Sequence, residues 1–178
     1  MKKTLAICGM ALLALVACKQ PATTSETATA PTPAAMPDFP YAIERPDNWV
    51  PGNLNNVVTV MKGLKAWENN DIDGCVAEFA DSAMIEFDGL DAKMGKDSLK
   101  AFFAGGRAQF KSVQIVMNDW ESVISKDKKD EYVSLWYKQI VTDNNGKVDS
   151  FQVMNDAKIE NGKITLLNEK IRRYGTRK

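Results

Sequence analysis

Histidine is absent from the 178-residue chain, and cysteine occurs only three times. Without histidine the chain cannot form a Ser-His-Asp or Cys-His nucleophile pair, and it cannot bind a metal through imidazole. Cys8 and Cys18 lie in or next to an N-terminal apolar run, which leaves Cys75 as the one thiol further along. A lone thiol forms no intrachain disulfide, and we interpret Cys75 as a small buried apolar residue. We predict neither a metal site nor a bound cofactor.

The chain also lacks an excess of charge, since 23 basic residues face 23 acidic ones. If Lys2 and Lys3 leave with a signal peptide, 21 basic residues remain against the same 23 acidic ones. A nucleic-acid surface needs a concentration of positive charge. We therefore predict no nucleic-acid partner, and we interpret the basic segment at 170–178 as a solvated strand end.

Only one long apolar run is present, from Leu5 to Ala17, and it is too short for a permanent membrane span. It follows two lysines and ends in Leu15-Val16-Ala17-Cys18, which resembles the bacterial lipoprotein signal. That resemblance implies cleavage before Cys18, acylation of Cys18, and a lipid anchor in the bacterial cell envelope, at the outer membrane or another membrane facing the periplasm. The alternative is an ordinary secretory signal with a cysteine there by chance.

The segment after Cys18 is rich in Pro, Ala, Thr and Ser and contains too few large apolar residues to bury a core. We interpret it as an extended tether. The predicted organisation is a signal peptide at 1–17, a lipidated cysteine and tether at 18–50, and one folded domain at 51–178.

Helices are predicted first within that domain. Asn53 can cap a helix whose apolar positions recur at helical spacing, namely Leu54, Val57, Met61, Leu64 and Trp67. Asp71 can cap a second, shorter helix with Phe79 on its inner side, and Met84 to Asp88 reads as a short strand. A third helix follows Gly95, with Phe102 and Phe110 among its buried residues.

Long strands follow, at Val113 to Ser125, Glu131 to Thr142, Lys147 to Glu160 and Lys163 to Tyr174. Asn-Gly pairs at 145–146 and 161–162 are typical of hairpin turns. Helices followed by an antiparallel meander indicate an α+β fold.

This order of elements, with AWENNDIDGCVAEFADSAMIEF at 66–87, MGKDSLKAFF at 94–103 and KIENGKI at 158–164, resembles the nuclear transport factor 2-like superfamily. SnoaL-like cyclases and ketosteroid isomerases are the relatives that it resembles most. The resemblance covers about residues 53 to 174. It implies a curved antiparallel sheet wrapped around the N-terminal helices, as a cone with a pocket at its open end, and often a homodimer. Because this fold hosts enzymes, ligand binders and scaffolds, it does not specify an activity.

The resemblance places the catalytic groups of ketosteroid isomerases on residues that cannot replace them. The oxyanion tyrosine falls on Gly63, the carboxylate base on Phe87, and the proton-donating aspartate near Asn155. We therefore predict no steroid isomerase activity. Glu86 or Asp88 becomes a candidate base if a bulge shifts the strand by one residue; otherwise both lie at the solvent rim.

Six residues are predicted to face the pocket: Trp67, Phe79, Phe102, Leu135, Tyr137 and Asn155. Such a wall would take a small apolar ligand and orient it through a few polar groups, or the rings would fill the cone completely. On the opposite face of the same strand, Tyr132, Trp136 and Ile140 are candidates for a dimer surface. These features favour a module without catalytic activity that binds a small ligand or a protein. The alternative is a cofactor-independent enzyme of the isomerase, cyclase or dehydratase type, with Glu86 or Asp88 as its base.

Overall fold

The structure, a computed structural model, describes residues 38–44 and 48–173. The predicted signal peptide, Cys18, most of the predicted tether, and Tyr174 lie outside the described residues. The chain divides after Ala42 into two units. Residues 38–42 are the described part of the first unit and contain no helix or strand. The second unit begins at Ile43.

The described residues of this unit form three helices and seven strands. The helices are α1 (Leu54–Glu68), α2 (Ile72–Ala77) and α3 (Lys96–Arg107). The strands are β1 (Trp49–Pro51), β2 (Phe79–Phe87), β3 (Leu90–Gly95), β4 (Phe110–Ser125), β5 (Glu131–Asp143), β6 (Val148–Glu160) and β7 (Lys163–Arg173). Among the described residues, no helix combines the length and the apolar character needed to cross a membrane.

Both predicted helix caps are present. The Asn53 side chain accepts a hydrogen bond from the Asn55 amide at 2.9 Å, and the Asp71 carboxylate accepts one from the Gly74 amide at 2.8 Å. The second cap explains why α2 carries a glycine: a Cβ at Gly74 would collide with the Asp71 carboxylate. The cap offsets the local cost of glycine in the helix, and a larger residue at position 74 would displace the capping carboxylate.

The strands form one sheet in the order β1-β4-β5-β6-β7-β2-β3. All neighbours are antiparallel except β2 and β7, which run parallel. The α+β class and the curved sheet with packed helices are confirmed. The sequence reading missed the strands β1 and β3 and the parallel pair, and it was wrong about the extent of β2, which begins at Phe79.

Apolar side chains from the helices and from the inner face of the sheet form the core. Along β5, alternate residues are buried from Val133 to Val141, as the period of a strand requires. Leu99 of α3 and Ile85 of β2 are completely buried beside them. Two expected core positions differ: Leu54 is 61% exposed at the first turn of α1, and Phe110 lies on β4 rather than on α3.

Candidate functional site

A cavity of about 280 Å³ lies between the helices and the inner face of the sheet. It is a pocket of the size that holds a small molecule, and its lining is mainly apolar. The lining residues are Val60, Gly63, Leu64 and Trp67 of α1, Cys75 of α2, Phe79 and Phe87 of β2, Phe102, Phe103 and Gly106 of α3, and Phe110, Tyr137, Gln139, Phe151, Asn155, Ile164, Leu167, Glu169, Ile171 and Arg173 of β4–β7.

A row of phenylalanine rings forms the wall between β2 and α3. The ring centroids of Phe79 and Phe103 lie 5.2 Å apart, those of Phe103 and Phe102 lie 5.3 Å apart, and those of Phe102 and Phe87 lie 5.3 Å apart. The three pairs are tilted or edge-to-face, the arrangements that aromatic quadrupoles favour. Trp67 extends the row, and its indole Nε1 donates to the Phe103 carbonyl at 3.3 Å.

Arg107 fixes the helical wall against the sheet. Its buried guanidinium group donates to the carbonyls of Trp67 at 3.2 Å and Glu68 at 3.4 Å, which belong to the last turn of α1, and to the carbonyl of Phe110 at 2.6 Å. Carbonyls at the end of a helix have no partner within the helix. One side chain of α3 therefore pairs with the end of α1 and with the first residue of β4.

A polar cluster interrupts the apolar lining where β5, β6 and β7 meet. The Asn155 amide is oriented so that its oxygen accepts from Tyr137 Oη at 3.1 Å, while its nitrogen donates to Glu169 Oε2 and to the Met154 carbonyl, each at 3.2 Å. Tyr137 is completely buried and Asn155 nearly so, whereas Glu169 is partly exposed. The cluster therefore links a phenol, an amide and a carboxyl group on one side of the cavity.

Burial governs the ionisation of this cluster. Desolvation raises the pKa of Glu169 to about 7, although the neighbouring Tyr137 and Asn155 favour its charged form. Desolvation and the neighbouring Glu169 charge also raise the pKa of Tyr137 well above its usual range. A carboxyl group that changes its charge near neutral pH is suited to proton transfer and to recognition that depends on charge.

Arg173 is the cationic residue of the lining. Its guanidinium carbon lies 4.8 Å from the centroid of the Phe151 ring, and one of its nitrogens lies 4.0 Å from the Asp149 carboxylate. Its side chain is 76% exposed, and Ile171 beside it is half exposed. The end of β7 therefore joins the cavity to solvent.

The structure brings together five of the six residues predicted to face the pocket, namely Trp67, Phe79, Phe102, Tyr137 and Asn155. Leu135 does not line it. Its side chain is completely buried in the core, and β5 contributes only Tyr137 and Gln139 to the described lining. The prediction that Leu135 faces the pocket is therefore wrong.

The candidate bases Glu86 and Asp88 lie outside the cavity. Phe87 lines it, but its two acidic neighbours line only an adjacent pocket, together with Asp91, Asn168 and Lys170. That pocket shares Phe87, Glu169 and Ile171 with the cavity. The Glu86 carboxylate accepts a hydrogen bond from Asn168 Nδ2 at 2.7 Å. No bulge displaces β2 at these positions, because Ile85 and Glu86 keep consecutive partners on both neighbouring strands.

Gly63, Phe87 and Asn155, the positions onto which the sequence resemblance places the ketosteroid isomerase catalytic groups, all line the cavity. Cys75 also reaches the lining. Burial, with a smaller contribution from the Asp71 charge, raises the pKa of its thiol to about 12, so the thiolate nucleophile is disfavoured near neutral pH.

No group of three or more Cys, Asp or Glu side chains within residues 38–44 and 48–173 is arranged to hold a metal ion.

Three polar or charged lining residues, Gln139, Glu169 and Arg173, were missed in the sequence. Gln139 shares the inner face of β5 with Val133, Leu135 and Tyr137, so strand alternation alone could have identified it. Glu169 lies on the same face of β7 as Leu167 and Ile171. That this face is the inner one depends on a register shift between Lys158 and Ile159 in the pairing of β6 with β7. That shift has no evident signal in the sequence.

The outer face of β5 carries the predicted dimer residues Tyr132, Trp136 and Ile140, all partly exposed. The Tyr132 ring packs edge-on against Trp49 of β1, with 5.8 Å between the centroids. Polar groups interrupt this face, because Ser134 donates to Asp156 at 2.5 Å and Lys170 pairs with the same carboxylate at 3.3 Å.

No protein-family model matches this chain, and no curated protein matches its sequence. Solved structures share its fold. A cystatin-fold protein from Novosphingobium aromaticivorans superposes with a TM-score of 0.54 at 20% identity, over 65% of this chain and 97% of that one. A nuclear transport factor 2-like protein of unknown function from Burkholderia pseudomallei gives 0.55 at 18%, over 66% and 91%.

An epoxide hydrolase from M. tuberculosis gives a TM-score of 0.54 at 16% identity, over 67% of this chain and 84% of that one. Identities this low establish the fold alone. Similar folds thus include an enzyme and proteins of unknown function, and the activity has to be argued from the cavity.

Proposed function

We propose that this domain is a binding module that holds a small, mainly apolar molecule in the cavity and orients it through Tyr137, Asn155 and Glu169. The cavity of about 280 Å³ carries this proposal, because it combines a continuous aromatic wall with one polar cluster. Pockets of this composition bind by excluding water from apolar ligand surface and by a few directed hydrogen bonds.

Two neighbouring glycines of α3 allow a direct test. Gly106 lines the cavity, Gly105 does not, and a Cβ at either position meets no atom within 4 Å. We expect Gly106→Phe to occupy the cavity and abolish ligand binding, while Gly105→Phe preserves it. Both changes remove a helix glycine, so their intrinsic effects on helix stability match.

The readout is thermal stabilisation of the full chain by a panel of sterols, fatty acids and aromatic metabolites, together with native mass spectrometry of molecules that copurify. If no compound stabilises the wild type and none copurifies, the binding proposal is wrong. Equal binding by the two glycine variants would mean that ligands bind elsewhere.

We further propose that the module is held at the bacterial cell envelope by acylation of Cys18, at the end of a tether rich in proline, alanine and threonine. The sequence Leu15-Val16-Ala17-Cys18 supports this location. Pairing of two copies through the outer face of β5 belongs to the same proposal, and the partly exposed Tyr132, Trp136 and Ile140 support it.

The second candidate function is acid-base catalysis without a cofactor. One observation favours it, namely that burial places the pKa of the cavity carboxyl group of Glu169 at about 7. In this version Glu169 is the base, in place of Glu86 or Asp88, and Tyr137 and Asn155 bind the reacting oxygen or nitrogen. The reaction would be a proton abstraction of the isomerase, cyclase or dehydratase type.

A further inference from the structure

The cavity combines many aromatic faces with one carboxyl group. Among the described residues, eight of those that line it are aromatic, and Glu169 is the only acidic one. The face of an aromatic ring carries partial negative charge and attracts cations that have lost part of their hydration. A ring that turns its face to the cavity therefore favours positive charge, as the carboxylate does, and Phe151 already has a cation over its face.

Glu169 has no cationic partner within the described part of the chain. Its hydrogen-bond donor is the Asn155 amide, which is neutral, and no ion pair joins it to a described lysine or arginine. The desolvation of a carboxylate in this position is therefore offset by neutral groups alone. A ligand that brings a positive charge would supply the missing partner.

The charges next to the cavity also favour a cationic ligand. Glu169 also borders the adjacent pocket lined by Glu86, Asp88 and Asp91, where Lys170 is the single cation. The positive charge of Arg173 disfavours a second cation in the cavity. That charge is exposed to solvent, however, and lies 4.0 Å from the Asp149 carboxylate, which weakens the repulsion. The guanidinium group above Phe151, 4.8 Å from its centroid, is itself an example of a cation against a ring of this wall.

We propose that the ligand of this cavity is a small organic cation, a substituted ammonium whose charge lies between the aromatic wall and the Glu169 carboxylate. This inference rests on the proposed binding function and specifies the chemical class of the ligand. Alkyl groups on the nitrogen fit the apolar lining, and a weakly hydrated ammonium loses little when it leaves water.

The inference predicts a dependence of affinity on pH. Burial places the pKa of Glu169 at about 7, so affinity for a permanently charged ligand should rise about tenfold from pH 6 to pH 8, as the carboxyl group ionises. Tyr137 and Cys75, which also line the cavity, keep their protons in this interval because burial raises the pKa of each. The remaining charges nearby are those of Arg173, Glu86, Asp88, Asp91 and Lys170.

Choline and 3,3-dimethylbutan-1-ol form a matched pair of probes, because the alcohol replaces the quaternary nitrogen with carbon at nearly the same shape. Calorimetric titration of the full chain should show choline binding at least tenfold more tightly than the alcohol at pH 8. Glu169→Gln should remove most of that preference and its dependence on pH. Glu86→Gln, which changes a carboxylate outside the cavity, should alter the preference less than twofold.

If the alcohol binds as tightly as choline, or if Glu169→Gln leaves the preference intact, the inference is wrong and apolar binding remains. If neither probe binds, the inference is also wrong, and the ligand panel with the two glycine variants decides separately whether the cavity binds anything.

Discussion

Asn155 and Glu169 face each other directly across β6 and β7, with the amide nitrogen 3.2 Å from the carboxylate oxygen. This pair places a titratable group in an otherwise apolar cavity. Because the carboxyl group retains its proton to a higher pH in the folded chain than in the unfolded chain, its ionisation opposes folding.

The first prediction concerns the pH dependence of stability. The pKa of Glu169 is raised from 4.5 to about 7 on folding. Its contribution to stability is fully present below about pH 4.5, is lost as the pH rises towards 7, and stays constant above that. The loss amounts to at most about 3 kcal/mol.

Urea unfolding of the wild type and of Glu169→Gln between pH 4.5 and 8 measures this effect. The other titrating groups cancel in the difference, so the variant should become progressively more stable relative to the wild type as the pH rises. A difference that does not change with pH would show that the carboxyl group ionises normally in the folded chain.

The sequence predicted the helical caps and the faces of β5, because both depend on local rules. Asn53 and Asp71 precede apolar residues at helical spacing, and β5 pairs with β6 without a bulge, so alternation from Val133 to Val141 assigns each side chain correctly. The hairpin of β2 and β3 had a signal that was overlooked: Asp88-Gly89 forms its two-residue turn, with Gly89 at a φ of 78°.

The position of Glu169 could not be predicted in the same way. Across the turn at 161–162, Glu160 pairs with Lys163, and that register, if continued, would set Asn155 opposite Asn168. The shift near Lys158 instead sets Asn155 opposite Glu169 and turns that carboxyl group inward. One extra residue in a strand reverses the face of every residue after it, and packing against distant helices determines where it occurs.

The second prediction separates the core from the cavity. Leu135 is completely buried away from the lining, so Leu135→Ala should cost ~2–5 kcal/mol of unfolding free energy and leave ligand affinity nearly unchanged. Phe102 lines the cavity, and Phe102→Leu should weaken binding at a smaller cost in stability. Chemical denaturation and calorimetric titration of both variants measure the two effects; a loss of affinity in Leu135→Ala alone would contradict the described lining.

The third prediction concerns assembly. If two copies pair through the outer face of β5, Trp136→Lys should convert a dimer into a monomer, since it places a charge in a desolvated contact. Val148→Lys is a suitable control, because Val148 is 64% exposed at the start of β6. Light scattering reports the mass. A wild-type monomer at high micromolar concentration would rule out the dimer.

The fourth prediction concerns the anchor. Cys18→Ser removes the sulfur to which a lipid would be attached, so the variant should lack acyl chains in mass spectrometry and leave the membrane fraction. Each buried methylene of an acyl chain contributes about 0.8 kcal/mol, so the loss should be nearly complete. Cys75→Ser is the control, because that thiol is buried inside the domain. Membrane retention of an unacylated Cys18→Ser chain would contradict the anchor.

The fifth prediction tests the catalytic alternative without knowledge of the substrate. 5-Nitrobenzisoxazole loses its C3 proton to a base while its N–O bond breaks, which releases a coloured cyanophenolate. A desolvated carboxylate in an apolar cavity accelerates this step, because the base is poorly hydrated. We expect the full chain to promote it, with a rate that rises with pH and levels off above about pH 7, the pKa of Glu169.

Glu169→Gln should abolish that rate, while Glu86→Gln and Asp88→Asn should retain it, since both of those carboxylates lie outside the cavity. Gly106→Phe should also abolish it by occupying the cavity, and Gly105→Phe should not. If the wild-type rate matches that of free acetate at equal concentration, Glu169 does not act as a base even towards a substrate that needs only proton abstraction. The binding module then remains the sole proposal. If the rate disappears in Glu86→Gln instead, the base is on β2, and the assignment of the site to β7 is wrong.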